Sequence, residues 1–182
     1  MALETERLIL RYPRTRDYAV WSELRRHSRS HLEPFEPAWP SDALSREDWR
    51  RRIKAWREAQ RAGTGHVFFA WTRSGGRLVG GTALNGVRLG SVRSASVGYW
   101  LGATHVGQGL MTEALGKLCH WAFEGLSLQR LEAGVLPENE KSLAVLQRVG
   151  FKEEGFARSF LEIGGQRRDH VILGLVRDDL PS

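Results

Sequence analysis

One stretch of this chain combines a strand, a glycine-rich loop and the start of a helix, which together form an anion site. Residues 96–101 alternate apolar with small or polar side chains, as a strand does. A loop with Gly107-Gln-Gly109 follows, and an amphipathic helix is predicted to begin near Leu110. Glycines let a ligand approach the backbone, and the first N–H groups of a helix have no partner within it. The sequence therefore predicts a phosphate site here.

Two common nucleotide-binding motifs do not fit this loop. The pattern G-x-G-x-x-G requires glycine at position 112, which is Thr112, and its acidic residue about 20 positions later is missing from 127–129. The sequence G-K-[ST] of a P-loop is also absent. A dinucleotide-binding motif and a P-loop are therefore excluded. A pyrophosphate site at the helix start and a plain glycine-rich turn both remain possible interpretations of the loop.

A second motif, Pro137-Glu-Asn-Glu-Lys-Ser142, lies between a predicted strand and a predicted helix. Asn139 and Ser142 are residue types that cap helices, and capping alone would explain them. Their position beside the first motif allows a role in binding as well.

The two motifs together resemble the GNAT acetyltransferase superfamily. Within it the chain is most similar to the RimJ/RimL-like branch, which acetylates the N-terminal alanine of ribosomal proteins. The resemblance covers nearly the whole chain and rests on three stretches, which are 97–115, 139–151 and 155–170. One position departs from the superfamily, since Thr104 stands where Gln or Arg is frequent.

The resemblance implies transfer of an acetyl group from acetyl-CoA, bound as co-substrate, to an amine in a ternary complex. Backbone N–H groups would hold the pyrophosphate, and the backbone of Trp100 and Leu101 would pair with the pantetheine amides. Asn139 would hydrogen-bond the pantetheine arm, and Ser142 would lie near the sulfur and protonate the leaving thiolate, directly or through water. The residues of the predicted pyrophosphate loop are Val106, Gly107, Gln108, Gly109, Leu110 and Met111.

If the acceptor is an α-amino group, the reaction needs only a weak general base. Its pKa of ~7.7–8.0 leaves roughly a tenth neutral near pH 7, against about one in two thousand for a lysine side chain. Glu36 and Glu162 are the candidate bases, whereas Glu113 is expected to be structural, favouring the helix start. Cys119 is expected to be a buried hydrophobe rather than an acyl carrier.

Composition limits the class of protein. A chain of 182 residues suits one domain spanning 1–182, and no apolar run is long enough to cross a bilayer. The first seven residues lack the apolar segment of a signal peptide, and the single cysteine suits the cytoplasm. The six histidines are scattered, so no metal is expected, and a monomer and a homodimer both remain open.

The net charge of +6 leaves the acceptor open. The resemblance favours a protein N-terminus over a small amine such as an antibiotic, polyamine or amino acid, and a basic surface would in addition repel polycations. A third possibility is a non-catalytic ribosome- or RNA-associated factor, since basic residues load one helix and end the one before it. These residues are Arg25, Arg26, Arg29, Arg50, Arg51, Arg52, Lys54, Arg57 and Arg61.

The predicted elements follow the order β-α-α-β-β-β-α-β-α-β-β. Hairpin-spaced strands with two late crossover helices predict an α/β (α+β) fold with a single mixed, mostly antiparallel sheet. About seven strands are expected, with helices on both faces, and this is the GNAT fold that the resemblance implies. Asp169 and His170 are adjacent on the last strand and are expected to face opposite ways, so they cannot act as a dyad.

Overall fold

Eight strands and five α-helices make up residues 1–180, the part of the chain that the computed structural model describes. The strands are β1 (Ala2–Glu4), β2 (Leu8–Arg11), β3 (Gly65–Thr72), β4 (Leu78–Arg88), β5 (Ser94–Leu101), β6 (Arg130–Val135), β7 (Lys152–Ile163) and β8 (Gln166–Val176). The helices are α1 (Tyr18–His27), α2 (Arg29–Leu32), α3 (Arg46–Ala62), α4 (Leu110–Gly125) and α5 (Glu140–Val149).

The strands form one mixed sheet in the order β1-β2-β3-β4-β5-β6-β8-β7. Each neighbouring pair is antiparallel except β5 and β6, which run parallel. The predicted sheet class is confirmed, with one more strand than expected. That strand is β1, whose three residues are too short to show a period of two.

Helices cover both faces of the sheet, as predicted. On one face, called the α4–α5 face, strand residues such as Leu131 pack with Leu118 of α4 and Leu146 of α5. On the other, the α1–α3 face, Phe69 packs with Trp21 of α1 and Trp49 of α3. Because strand side chains alternate between faces, each strand contributes to both cores.

Local sequence signals explain the ends of two helices. Ser45 caps α3, since its Oγ accepts a hydrogen bond from the N–H of Asp48 at 3.0 Å. Asn139 caps α5, and Gly150 ends α5 with a φ of 110°, a conformation that glycine adopts without strain. The cap of α5 therefore agrees with the sequence prediction.

The first helical region is not one continuous helix. It breaks at Ser28, between α1 and α2. The Ser28 hydroxyl oxygen accepts a hydrogen bond from the N–H of Ala103, 2.9 Å away, which ties this break to the glycine-rich loop. No helix within residues 1–180 is long and apolar enough to cross a membrane.

Candidate active site

The loop between β5 and α4 has the features of an anion site. Gly107 and Gly109 adopt φ values of 76° and 73°, which are strained for any residue with a side chain. Gly109 is the N-cap of α4, and no side chain in residues 1–180 caps this helix. The first N–H groups of α4 therefore lack side-chain partners, while Gly107, Gln108 and Gly109 are exposed around them.

Polar contacts from the N-terminal segment hold this loop and the first turn of α4 in place. Arg7 donates to the carbonyl of Gln108 at 2.9 Å and to the carboxylate of Glu113 at 2.6 Å. Thr5 donates to the same carboxylate at 2.5 Å. Partial burial raises the pKa of Glu113, but the hydrogen bonds from Thr5 and Arg7 outweigh it and hold that pKa below its usual value. Glu113 has the structural role that the sequence predicts.

Basic side chains line a cavity of about 500 Å³ beside the loop. Arg73, Arg77 and His105 contribute to its wall, together with Gln108 and Leu110. Burial and the nearby Arg77 lower the pKa of His105, so the arginines supply the charge of this cavity at neutral pH. The surroundings of the loop therefore favour an anionic ligand.

The sheet opens between β5 and β6, next to the loop. Over residues 1–180 these strands pair only from Ser94/Arg130 to Ser96/Glu132, and we call the opening beyond this point the fork. Val97, Tyr99 and Leu101 of β5 point to the α4–α5 face, whereas Trp100 points to the α1–α3 face. Backbone groups along Gly98–Leu101 have no partner strand on the β6 side and are available to a ligand.

Ser142 lies on the α4–α5 face of the fork, in contact with Tyr99. The two hydroxyl oxygens are 2.6 Å apart, and the Tyr99 hydroxyl also lies 3.1 Å from the Ser142 carbonyl oxygen. Burial, the largest influence, raises the pKa of Tyr99 to about 12, so Tyr99 is neutral at physiological pH. Tyr99 is a site residue that the sequence reasoning missed, because its alternation in β5 marked it only as a core position.

Asn139 and Ser142 have distinct roles in the start of α5. The Oδ1 atom of Asn139 accepts a hydrogen bond from the backbone N–H of Ser142 at 3.2 Å, so Asn139 is the cap. The Ser142 side chain takes no part in this bond, and a purely capping role for its hydroxyl is wrong. Within residues 1–180 the Nδ2 group of Asn139 has no hydrogen-bond partner, so it remains available to a ligand.

Glu36 lies on the α1–α3 face, where its carboxylate is held firmly. Arg25 donates to both carboxylate oxygens at 2.8 and 2.5 Å, and Trp39 Nε1 donates at 2.8 Å. Arg25 is only 9% exposed, and its guanidinium lies 4.7 Å from the Trp39 ring centroid and 5.0 Å from that of Trp100. The predicted candidate base is thus part of an ion pair beside β5, and both of its oxygens already accept hydrogen bonds from Arg25.

Glu162 lies at the end of β7, next to the β7–β8 turn. It is exposed and forms no ion pair within residues 1–180. The N–H of Gly164 in this turn donates to the Glu36 carbonyl oxygen at 3.0 Å. The fold therefore brings the turn and the proline-rich loop together through a backbone contact.

Two further predictions concern Cys119 and the neighbours Asp169 and His170. Cys119 is fully buried in the core, and burial raises the pKa of its thiol, which fits a buried hydrophobe. Asp169 accepts from the N–H of Ser159, whereas His170 is buried with Nδ1 3.0 Å from the Arg168 carbonyl oxygen. They face apart, as expected for neighbours in a strand.

No group of histidine, cysteine and carboxylate side chains within residues 1–180 could hold a metal ion. His27 and His31 are four residues apart, a spacing that can serve metals on a continuous helix. The helix breaks between them at Ser28, so they do not share one helical face.

The basic cluster of α1 and α3 is partly neutralised within the fold. Arg25 pairs with Glu36 and Arg29 with Glu33, while Arg51 and Arg52 both pair with Asp48. Pairs of this kind leave fewer free cations than the sequence suggested for RNA binding. The structure therefore gives the RNA-associated alternative less support than the sequence did.

Comparison with known proteins identifies the class to which this fork and loop belong. Residues 7–152 match the acetyltransferase (GNAT) domain. The chain is 30% identical over 177 residues to the ribosomal protein uS5-alanine N-acetyltransferase of Escherichia coli, covering 97% of this chain and 91% of that one. The chain therefore belongs to the GNAT acetyltransferase family.

Solved structures place it more narrowly within the family. RimJ of Mycobacterium smegmatis, in complex with CoA-disulfide, superposes with a TM-score of 0.91 at 36% identity, covering 96% of this chain and 84% of that one. The ribosomal-protein-S5-alanine acetyltransferase of Vibrio fischeri gives a TM-score of 0.89 at 26% identity, with complete coverage of both chains. The predicted class, an acetyl-CoA-dependent N-acetyltransferase related to the RimJ/RimL enzymes, is confirmed.

Proposed function

We propose that this enzyme acetylates the N-terminal α-amino group of a protein that begins with Ala or Ser, by direct attack in a ternary complex. The observation that carries the proposal is the fork between β5 and β6, which is open to both faces of the sheet. The anion loop and Ser142 serve the donor on the α4–α5 face, and the acceptor approaches from the α1–α3 face.

The donor site uses mostly backbone groups. The N–H groups of Val106–Met111 would bind the pyrophosphate, since α4 has no side-chain cap in the described residues and the loop before it is exposed. The unpaired backbone of Trp100 and Leu101 would pair with the pantetheine amides, as a strand pairs with its neighbour. Asn139 would donate from Nδ2 to a pantetheine carbonyl.

The transfer requires two proton movements. The neutral amine attacks the thioester carbonyl carbon, the C–N bond forms, and a backbone N–H at the end of β5 would stabilise the developing oxyanion. The C–S bond then breaks, the nitrogen loses a proton to a base, and the CoA sulfur gains one from Ser142, directly or through water, after which solvent returns a proton to the serine oxygen. If the Tyr99 hydroxyl donates to Ser142 Oγ, the serine proton is left to point toward the sulfur.

Glu162 suits the role of base better than Glu36. Both oxygens of Glu36 accept from Arg25, whereas Glu162 is exposed beside the β7–β8 turn and can act directly or through water. The requirement on this base is modest, because a useful fraction of an α-amino group is already neutral near pH 7.

The relatives support a ribosomal acceptor. The Escherichia coli and Vibrio fischeri proteins are named as alanine acetyltransferases of ribosomal protein S5 (uS5). A ribosomal protein would place the enzyme in the cytoplasm, where ribosomes are made, and this location and any binding to the ribosome itself stay predictions.

The test is release of CoA with a panel of acceptors. Peptides beginning with Ala, Ser, Met and Leu are compared with the same peptides already acetylated at the α-amine, and with small amines. We expect turnover with Ala and Ser peptides only, and mass spectrometry should locate the acetyl group at the α-nitrogen. Turnover with small amines and with none of the free peptides would overturn the proposal.

A further inference from the structure

An irregular segment of β7 lies on the α1–α3 face beside the fork. Ala157 pairs with His170 and Leu161 with Arg168, so three residues of β7 stand opposite one residue of β8. At the centre of this bulge Ser159 has a φ of 48°, a left-handed conformation that is strained for a residue with a side chain. Strained positions persist only where the surrounding structure holds them, and they concentrate at functional sites.

Two polar contacts from β8 hold the bulge in place. The N–H of Ser159 donates to the Asp169 carboxylate at 2.8 Å, and Arg167 donates to the Phe160 carbonyl oxygen at 3.2 Å. The Phe160 ring stands at 64° to the ring of His170, with centroids 5.7 Å apart, an edge-on arrangement. These contacts fix the direction of the Phe160 side chain.

Phe160 lies over the edge of the fork on this face. A Cβ atom placed on Gly134 would lie 3.0 Å from Phe160 Cε1, so the ring occupies the space that a side chain on β6 would fill. Gly134 follows the last β5–β6 pair by two residues, and Gly98 does the same on β5. Both glycines are on the α1–α3 face, so neither strand contributes a side chain at this level of the fork, and Phe160 forms the wall on the β6 side.

We propose that Phe160, held by the bulge, limits the size of the first side chain of the acceptor. This inference rests on the proposed attack by an α-amine from the α1–α3 face. The Cβ atom of the first acceptor residue is only two bonds from the attacking nitrogen, so it must lie close to the fork wall. A ring at Gly134 leaves room there for Ala or Ser and excludes larger side chains. The bulge lies beyond residue 152, where the family match ends.

The test measures kcat/KM for peptides that differ only in the first residue. Phe160→Ala should raise the ratio of Met-peptide to Ala-peptide kcat/KM at least about tenfold, since single methylene groups in apolar pockets change specificity about 10–200-fold. Phe160→Leu should give an intermediate ratio, and the KM for acetyl-CoA should stay unchanged in both. Asp169→Ala, which frees the Ser159 N–H, should shift the ratio in the same direction by less.

Phe156→Ala is the matched control. Phe156 is an exposed phenylalanine of the same strand, 57% exposed against 44% for Phe160, but it pairs with Val171 and faces the α4–α5 side. An unchanged peptide ratio in both Phe160 variants, with wild-type activity on Ala peptides, would overturn this inference alone. A shift as large in Phe156→Ala would overturn it too. Failure of the wild-type enzyme to acetylate any α-amino peptide would overturn the proposed function as well.

Discussion

The two faces of the fork present different chemical groups. On the α4–α5 face, backbone N–H groups, two hydroxyl groups and an amide surround the opening, and none of these groups is charged. On the α1–α3 face, the Arg25–Glu36 pair, two tryptophan rings and Phe160 surround it. Backbone groups bind a cofactor that is always the same, whereas side chains can change with the acceptor. The donor site should therefore be sensitive to backbone geometry, and the acceptor site to side-chain identity.

The largest expected effect is on the donor side. Ser142→Ala should lower kcat about 100-fold, the usual contribution of a general acid, with little change in the KM for acetyl-CoA. The cap of α5 survives because it uses the Ser142 backbone N–H. Ser45→Ala, which removes a true cap, should instead lower Tm and leave kcat unchanged. An unaltered kcat in Ser142→Ala would show that this hydroxyl is only structural.

Two glycines with the same conformation test the importance of backbone geometry. Gly107 has a φ of 76° and Gly90 a φ of 75°, and a Cβ on either would meet no atom within 4 Å. Alanine at each should cost about 1–2 kcal/mol of stability through the left-handed conformation. Gly107→Ala alone should raise the KM for acetyl-CoA, by about tenfold, because it shifts the N–H groups of the anion loop. Equal KM values for the two variants would argue against a phosphate in this loop.

Of the two candidate bases, Glu162→Gln should lower kcat/KM for an Ala peptide by up to about tenfold at pH 7. The limit follows from the roughly one-tenth of α-amine that is already neutral, and the deficit should shrink as pH rises past about 8. Glu36→Gln should mainly lower Tm, since Arg25 would remain buried without its partner. Full pH–rate profiles of the two variants show which of the two carboxylates is the base. A larger kinetic loss in Glu36→Gln, at unchanged Tm, would assign the base to Glu36.

A smaller effect on kcat is expected from substitution of Tyr99, whose hydroxyl contacts that of Ser142. Tyr99→Phe removes one hydrogen bond, worth about 1 kcal/mol, so kcat should fall about fivefold while the KM values change little. Single-turnover measurements should locate this loss in the chemical step. If Tyr99→Phe were as slow as Ser142→Ala, the tyrosine would be the proton donor rather than the group that orients it.

The smallest effect concerns acid stability at the anchor of the anion loop. The pKa of Glu113 is lowered in the folded state, so its contribution to stability is present above about pH 4.5, its ordinary value, and is lost as pH falls through the folded value. Thermal melting of wild type and Glu113→Gln should therefore differ near pH 7 and converge at lower pH. A constant difference across this range would mean that the charge of Glu113 is not what stabilises the loop.

The features that sequence alone predicted are those set by neighbouring residues. The helix from Asn139 to Gly150 was predictable because its cap, its apolar spacing and its terminal glycine all lie within twelve positions. The glycines of the anion loop were also visible, since their spacing is a local property.

The missed features depend on contacts between distant segments. Tyr99 and Ser142 are 43 positions apart, and only the folding of α5 across the fork joins them. Arg25 was counted with a basic cluster, because nothing in the sequence shows that it turns inward to Glu36. The break at Ser28 likewise follows from a hydrogen bond to Ala103, 75 residues away.

The burial of Cys119 has a practical consequence for following this enzyme. It is the only cysteine in the chain, and its thiol lies fully inside the core with a raised pKa. Disulfide reagents react with thiolates that they can reach, so they should leave the folded protein unlabelled. A colorimetric thiol assay then reports the CoA released by turnover without background from the enzyme. The same reagent, added without substrates, becomes a probe of unfolding.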